Sequence, residues 1–250
     1  MAETGRGLGR QGFETASGVV LHRRVVREGD LLLTLFLRGL GKIRVSAGGA
    51  ASGKVRFGGG TEPLVWGSFG LYRDRIGNFR LKNADVADDL LKLRGRAESL
   101  FAGVRWAKLL LARLPEEEGA DDLLTALYWD MKLLEGREFP VQVVNFHFLW
   151  RWLKLWGLAP DLTLCVRCGK KLEAAFWTED GLRCEDCSPQ KGGWALSPGE
   201  TAGLRVIAGM KASAVVAARE TRPDLPEPDL FPKRLFDDAA RRLEGLLEEI

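Results

Sequence analysis

The four cysteines of the chain lie in one stretch, as two Cys-x-x-Cys pairs with fifteen residues between them. Each pair can offer two thiolates from one tight turn, and Zn²⁺ prefers four such ligands in a tetrahedron. The spacing is that of a zinc site. Because no histidine lies nearby to replace a thiolate, we predict a closed structural site without a catalytic role. The predicted ligands of one Zn²⁺ ion are Cys165, Cys168, Cys184 and Cys187.

Two other uses of paired cysteines are disfavoured by their context. Disulfides belong to secreted proteins, and no secretory signal precedes this stretch. A redox Cys-x-x-Cys pair is expected next to a βαβ pattern, which the neighbouring sequence does not show. Residues 164–188 are therefore predicted to form a zinc ribbon, with Gly169 and Gly181 at its turns.

Length, composition and charge set the context of this ribbon. A chain of 250 residues with 46% hydrophobic residues can bury a core, and no apolar run is long enough to cross a bilayer. Residues 1–12 resemble a flexible tail more than a signal peptide, which predicts a cytoplasmic protein without a membrane partner. Residues 1–84 hold 14 Lys and Arg against 6 Asp and Glu, whereas residues 85–250 hold 23 against 28. This asymmetry predicts a negatively charged partner for the N-terminal part.

The N-terminal part has the residue pattern of short strands. Alternating or β-branched apolar residues are separated by glycine-rich turns, which predicts five strands at 18–26, 31–37, 42–45, 64–72 and 79–83. Five short strands favour an OB-fold barrel over residues 13–84, and an SH3-like barrel fits the pattern nearly as well.

Cationic and aromatic residues are interleaved with the predicted strands. Single-stranded nucleic acids need both, because cations follow the phosphates and flat rings stack on the bases. For Trp66 and Phe69 a place in the barrel core is favoured over stacking, and Tyr72 is a further candidate ring. The predicted nucleic-acid-binding residues are Arg23, Arg24, Arg27, Lys42, Arg44, Lys54, Arg56, Arg73, Arg75 and Arg80.

From Asp85 onwards the apolar spacing becomes helical. Helices are predicted at 85–114, 121–135, 141–156, 197–210 and 231–247. In the first, the residues assigned to the inner face are Val86, Leu90, Leu93, Ala97, Leu100, Phe101 and Val104. The third is apolar almost all round, which is typical of a helix buried in a bundle. The prediction is thus an α+β protein, a barrel followed by a helical domain over 85–250 with the ribbon inserted.

The sequence gives no sign of a catalytic centre. It holds two histidines, His22 and His147, and neither has the spacing of a metal pair or of a partnered nucleophile. Phosphate-binding glycine loops are absent. The acidic runs, including Glu116 to Glu118, are assigned to helix N-termini, where the helix dipole favours negative charge. The protein is therefore not expected to be an enzyme.

The order of barrel, bundle and inserted ribbon resembles the RecO family of bacterial recombinational repair proteins. The resemblance covers residues 12–246. Three stretches carry it. The first is Gly18-Val-Val-Leu with Arg27-Glu-Gly-Asp-Leu-Leu-Leu-Thr-Leu-Phe36, and the second is Gly41-Lys-Ile-Arg-Val-Ser-Ala-Gly-Gly-Ala50 with Phe57-Gly58. The third is Cys165-x-x-Cys168-Gly169 with Gly181-Leu182-x-Cys184-x-x-Cys187, which leads to Leu196-Ser197-Pro198.

The resemblance implies a non-enzymatic recombination mediator. Such proteins bind single- and double-stranded DNA, anneal complementary strands, and act with RecR to load RecA onto strands coated by single-strand-binding protein. They also recognise the acidic, apolar-ended tail of single-strand-binding protein through the C-terminal domain. One departure is the loop 48–56, where only Lys54 and Arg56 are charged, although the family's loop often carries several basic residues. An RNA-binding OB and zinc-ribbon protein, or an adaptor that binds no nucleic acid, are the alternatives.

Overall fold

The computed structural model describes residues 11–27, 29–51, 56–136, 138–188, 193–221 and 232–248. The chain divides into two compact units, Met1–Thr125 and Ala126–Ile250. The first contains a β-barrel and the second contains helices and a small three-stranded sheet. This confirms the predicted α+β class.

The barrel is a closed sheet of five strands. Its strands are β1 Gly12–Arg27, β2 Asp30–Leu37, β3 Gly41–Ala47, β4 Trp66–Arg73 and β5 Phe79–Asp88. Their order around the barrel is β1-β2-β3-β5-β4. All neighbouring pairs are antiparallel except β3 and β5, which meet in parallel at Val45 and Phe79. This strand order is that of the OB fold, so the favoured prediction is confirmed.

The barrel interior is filled by alternate residues of each strand. Leu33, Leu35 and Leu37 of β2 point inward with Ile43 and Val45 of β3, and all are nearly inaccessible to water. Such alternation is what a half-buried strand requires, because successive side chains point to opposite faces. The other face of every strand is left for solvent and ligands.

The link between barrel and helices differs from the prediction. The helix expected from Asp85 begins only at α1 Leu91–Arg94 and α2 Ala97–Arg113, because β5 continues to Asp88 and Val86 pairs with Gly67 of β4. Side-chain oxygens of Asp88 and Asp89 then accept hydrogen bonds from the amides of Leu90 and Leu91 and turn the chain.

The inner face of α2 is also different from the one assigned. Phe101 is 71% exposed and Val86 46%, whereas Ser99, Ala102, Gly103 and Trp106 are buried. A Cβ added at Gly103 would lie 3.3 Å from Leu64, so a small residue is needed at this close approach. Leu90 and Leu93 are buried as expected, so the assignment was wrong for Val86 and Phe101 and right for these two residues.

The second unit is built around a helix that is buried on all sides, as predicted. The helices are α3 Asp121–Glu135, which starts in the first unit, α4 Val141–Leu155, α5 Pro198–Ala208, α6 Ala212–Thr221 and α7 Lys233–Glu248. Helix α4 packs against α7, where the rings of Phe146 and Phe236 meet edge to face at 5.5 Å. Burial of each such side chain stabilises the fold by about 1.5–3 kcal/mol.

The small sheet lies between α4 and α5 in the chain. Its strands β6 Ala175–Thr178, β7 Gly181–Arg183 and β8 Trp194–Leu196 are ordered β7-β6-β8. The predicted N-cap of α5 is confirmed, because Ser197 and Glu200 form a capping box with Pro198 in the first turn. Arg205 of α5 donates to the carbonyls of Leu162 and Leu172 and so holds the base of the cysteine segment.

Within the described residues no single helix is long and apolar enough to cross a membrane. Among the described helices, α5 and part of α6 are the one pair that passes such a test by length and composition, and they are bent by 82° to each other.

Candidate metal centre and nucleic-acid interface

The four cysteines are brought together in the second unit. Their sulfur atoms all lie within 4.8 Å of one another, and Cys168 and Cys184 are 3.7 Å apart. A tetrahedral zinc ion with Zn–S bonds of about 2.3 Å separates its sulfur ligands by about 3.8 Å. The cluster can therefore hold a metal ion without rearrangement of the backbone.

Two short turns place the thiols. The first, Cys165–Cys168, closes with a hydrogen bond from the Gly169 amide to the Cys165 carbonyl at 2.9 Å, and Gly169 takes a positive φ of 71°. The second is a 3₁₀ turn, Glu185–Cys187, directly after Cys184. The amide of Val166 donates to the Leu182 carbonyl at 2.9 Å and joins the two turns. Backbone hydrogen bonds within and between the two turns thus hold the tetrad in place.

The electrostatics of the tetrad suit a cation. Burial raises the pKa of the Cys165 thiol, but backbone amides of Cys184, Cys168 and Arg167 point at it and lower that pKa to about 6. The Cys187 thiol donates to the sulfurs of Cys168 and Cys184, which raises the pKa of Cys187 to about 12. One thiolate is therefore available at neutral pH, and a bound metal ion would deprotonate its other ligands.

His147 is a buried residue with partners on both ring nitrogens. Nδ1 lies 2.5 Å from Asp130 Oδ1 and Nε2 lies 3.0 Å from the Met210 carbonyl. Burial lowers the pKa of His147, but the charge of Asp130 and the hydrogen bonds outweigh it, and the pKa lies above its usual 6.5. This charged pair links α3 to α4 and to the end of α5, which confirms a core role for His147.

A cationic groove lies on the outer surface of the barrel. It is formed by β2, β3, β5 and the turn between β4 and β5, and has a volume of about 780 Å³. In OB folds this face, centred on strands 2 and 3 and bounded by the β1–β2 and β4–β5 loops, binds oligonucleotides. We call it the basic groove. Four cations line it, Arg44, Arg56, Arg80 and Lys82, together with Asp30 and Asp74.

Three of the predicted DNA-binding residues lie in the basic groove, and the others are spread over the barrel. Arg23 is paired with Glu62 at 2.5 Å, and Arg24 is exposed on β1. Arg73 lies over the Phe79 ring and is paired with Glu117 at 2.8 Å. Arg75 donates to the Gln11 side chain. The structure therefore does not gather all of the predicted cations into one patch.

Lys42 does not belong to an accessible surface. Its side chain is 8% exposed, and Nζ donates to the Leu111 carbonyl at 2.8 Å. Burial lowers the pKa of Lys42, and the charges of Glu116 and Arg44 act on it in opposite directions. Lys54 and the side chain of Arg27 lie outside the described residues.

The acidic run that was assigned to a helix N-terminus has a different place. The backbone of Glu116 forms an isolated parallel β-bridge with Lys42 at the edge of β3, and the Glu117 amide donates to the Lys42 carbonyl at 2.9 Å. The side chain of Glu116 lies 2.5 Å from Arg44, at one side of the basic groove. We call residues Glu116, Glu117 and Glu118 the acidic strap, and two of its carboxylates neutralise barrel arginines.

The aromatic residues of the barrel separate into two groups. Trp66 and Phe69 are buried in the core, as favoured from the sequence. Tyr72 is partly exposed and packs against Phe13, which is 76% exposed. Phe13 was not among the sequence candidates because β1 was expected to begin only at Gly18, and Lys82 was not among them although it lies in a predicted strand. In the structure β1 begins at Gly12, and exposed and half-buried residues alternate from Gln11 to Ser17.

Fold and site together define a class of protein, an OB-fold barrel joined to a helical unit that carries a four-cysteine cluster. Two family models match the chain, and their boundary between residues 89 and 94 lies before the division into compact units at Thr125. "Recombination protein O N terminal" matches residues 13–89 and "Recombination protein O C terminal" matches residues 94–226.

Curated relatives give the same result. DNA repair protein RecO of Desulforamulus reducens is 29% identical over 174 residues, which is 68% of this chain and 67% of that protein. RecO of Koribacter versatilis is 33% identical over 181 residues, 69% of this chain and 71% of the relative. RecO of Acetivibrio thermocellus is 26% identical over 202 residues, which is 79% of this chain and 80% of that protein. The chain therefore belongs to the Recombination protein O (RecO) family and is a DNA repair protein.

Proposed function

We propose that this protein is a non-enzymatic recombination mediator. It binds single- and double-stranded DNA through the barrel, anneals complementary strands, and helps RecR to load RecA onto strands coated by single-strand-binding protein. Membership of the RecO family supports a role in repair and recombination. The observation that carries the DNA-binding step is the basic groove on the oligonucleotide-binding face of the OB fold.

The groove suits a phosphate backbone for two reasons. Arg44 and Arg56 approach from β3 and the loop after it, and Arg80 and Lys82 from β5, so positive charge lies on both sides. Phosphate contacts of this kind release counterions and make binding depend on salt. Lys42, which donates to a backbone carbonyl, is left out of this proposal, whereas Arg24 and Arg75 extend the charged surface beyond the groove.

The four cysteines are proposed to hold one structural Zn²⁺ ion. Four sulfur donors leave no open coordination position, and a closed Cys₄ site stabilises a fold without supplying a reactive water. The buried Cys165 and the joined backbone turns support this role. The metal would then fix the segment between α4 and α5, and catalysis is not part of the proposal.

The tail of single-strand-binding protein is proposed to bind the helical unit. A groove of about 420 Å³ there has apolar walls from Leu158, Trp177 and Leu246, with Arg242 as a cation. An apolar end and a carboxylate could occupy these walls and this arginine. Glu179 and Asp180 also line the groove, and the pairing of Asp180 with Arg183 reduces its repulsion of an acidic tail, whereas Glu179 opposes one.

Strand annealing tests the proposal. Complementary labelled oligonucleotides, precoated with single-strand-binding protein, are mixed with and without this protein over a salt series. We expect faster annealing that fades as salt rises. A protein that binds RNA in preference to DNA, without accelerating annealing, would indicate an RNA-binding function. If neither nucleic acid binds at any salt concentration, the adaptor alternative replaces the proposal.

A further inference from the structure

Two aromatic rings lie side by side on the outer face of the barrel, on strands away from β2 and β3. Phe13 of β1 is paired directly with Tyr72 of β4, and their ring centroids are 4.9 Å apart with the planes at 55°. Phe13 is 76% exposed, so its ring gains little from the barrel core. Single exposed apolar residues are common on proteins, but a paired and fixed arrangement of rings calls for an explanation.

The Tyr72 ring is held in place by polar neighbours. Gln11 Nε2 donates to the Tyr72 hydroxyl at 2.6 Å, and Lys82 Nζ lies 5.4 Å from the centre of the ring. Arg75 in turn donates to Gln11 Oε1 at 3.1 Å. The pair is therefore flanked by two cations, and the Tyr72 ring is held by these contacts.

We infer that Phe13 and Tyr72 form a stacking platform for unpaired bases of single-stranded DNA. Proteins that bind single strands combine flat rings with cations, because the rings stack on the π-face of any base and the cations contact the phosphate of each nucleotide. A hydrophobic peptide would gain nothing from Lys82 and Arg75. A duplex keeps its bases stacked inside and cannot use the rings.

The platform is connected to the basic groove. Lys82 touches both, since it lines the groove and lies over the Tyr72 ring. A strand whose phosphates follow the groove along β5 can therefore place its next bases on the platform. The inference rests on the proposed function and adds to it a surface that selects single strands and leaves base edges open for pairing.

Two substitutions at Phe13 separate stacking from charge and from apolar contact. Phe13→Leu keeps an apolar side chain without a flat ring, and Phe13→Tyr keeps the ring. Binding of each variant is measured by fluorescence anisotropy with oligo(dT), with an abasic phosphodiester strand of the same length, and with a duplex. We expect Phe13→Leu to lose roughly tenfold in affinity for oligo(dT). Its affinities for the abasic strand and the duplex should stay unchanged, and Phe13→Tyr should resemble the wild type.

The remaining results would overturn the inference in distinguishable ways. Equal binding of oligo(dT) by Phe13→Leu and the wild type, with normal salt dependence, would reject the platform and leave the proposed function standing. Loss of abasic-strand binding in the same variant would indicate damage to the barrel instead of lost stacking. If the wild type binds none of the three probes, the platform and the proposed function both fail. A change in sedimentation coefficient with Phe13→Leu would show that the rings contact a second copy.

Discussion

The barrel and the helical unit use their polar side chains in opposite ways. In the helical unit these groups point inward, where Cys165, Asp130 and His147 are buried and each has a partner fixed by the fold. In the barrel they point outward, where Arg44, Arg56 and Arg80 are accessible around a groove. The inward groups are therefore expected to set stability, and the outward groups to set the proposed binding.

This contrast has an energetic basis. A buried charge or polar group without its partner costs several kcal/mol, so the fold depends on such pairs. Exposed ion pairs such as Arg44 with Glu116 contribute about 0–1 kcal/mol, because water and salt screen them. Changes in the helical unit should therefore unfold the protein, and changes on the barrel surface should alter affinity alone.

The largest effect on stability is expected from loss of the proposed metal centre. Cys165→Ala removes a buried ligand, and several kcal/mol of folding free energy should be lost, because metal binding at such sites is coupled to folding. Metal content per chain and thermal unfolding by circular dichroism, with and without a chelator, check this. Glu185→Gln, an exposed change between two of the cysteines, is the control. A variant that lost its metal and kept the wild-type melting temperature would contradict a structural role.

Substitution of the buried histidine should have the second-largest effect, a loss of about 3–5 kcal/mol in unfolding free energy. His147→Leu leaves the Asp130 carboxylate in the core without its charged partner, which is strongly destabilising. Denaturant unfolding measures the loss, and Asp130→Leu/His147→Leu should recover part of it. Additive effects of the two single changes would argue against the pair.

The same pair predicts the pH dependence of stability. The pKa of His147 is raised above 6.5 in the folded protein, so its contribution is complete below about pH 6.5. It is lost as pH rises through the folded pKa. The wild-type advantage in unfolding free energy over Asp130→Leu/His147→Leu, which lacks both titrating groups, should therefore shrink with rising pH, and an advantage that grew would reject the charged pair.

On the barrel, Arg44→Ala/Arg80→Ala should weaken binding without unfolding the protein. Each lost phosphate contact lowers the slope of log affinity against log salt by about 0.7 for single strands. We expect a slope smaller by about 1.4 and a melting temperature near that of the wild type. Lys108→Ala, a charge removed from the exposed face of α2 outside the groove, is the matched control. An equal loss in this control would show that net charge and not the groove governs binding.

The two regions also differ in how well the sequence predicts them. The four-cysteine cluster follows from local spacing, since each Cys-x-x-Cys turn needs only its own residues, and the capped start of α5 is equally local. The basic groove depends on which strands become neighbours. Only the parallel contact of β3 with β5 brings Arg44 near Arg80, and no local pattern contains that pairing.

Errors in the sequence analysis have the same origin. Lys42 and Arg44 are two residues apart and share one face of β3, as predicted, but the segment from Leu111 to Glu117 covers Lys42. Val86 has helical spacing with later residues, yet pairing with Gly67 keeps it in a strand. Contacts between residues distant in sequence determine the burial of Lys42 and the strand conformation of Val86, and local propensity does not predict such contacts.

The smallest effect concerns the acidic strap. Glu116 and Glu117 neutralise Arg44 and Arg73, and they compete with phosphates for these cations. Glu116→Gln/Glu117→Gln should raise DNA affinity a few-fold and steepen its salt dependence by up to about 0.7, because Arg73 becomes available to phosphates in addition to Arg44. Stability should change by less than about 1 kcal/mol. Glu118→Gln is the control, since this side chain makes no ion pair among the described residues. Weaker binding in the double variant would mean that the strap orients the arginines and does not compete with DNA.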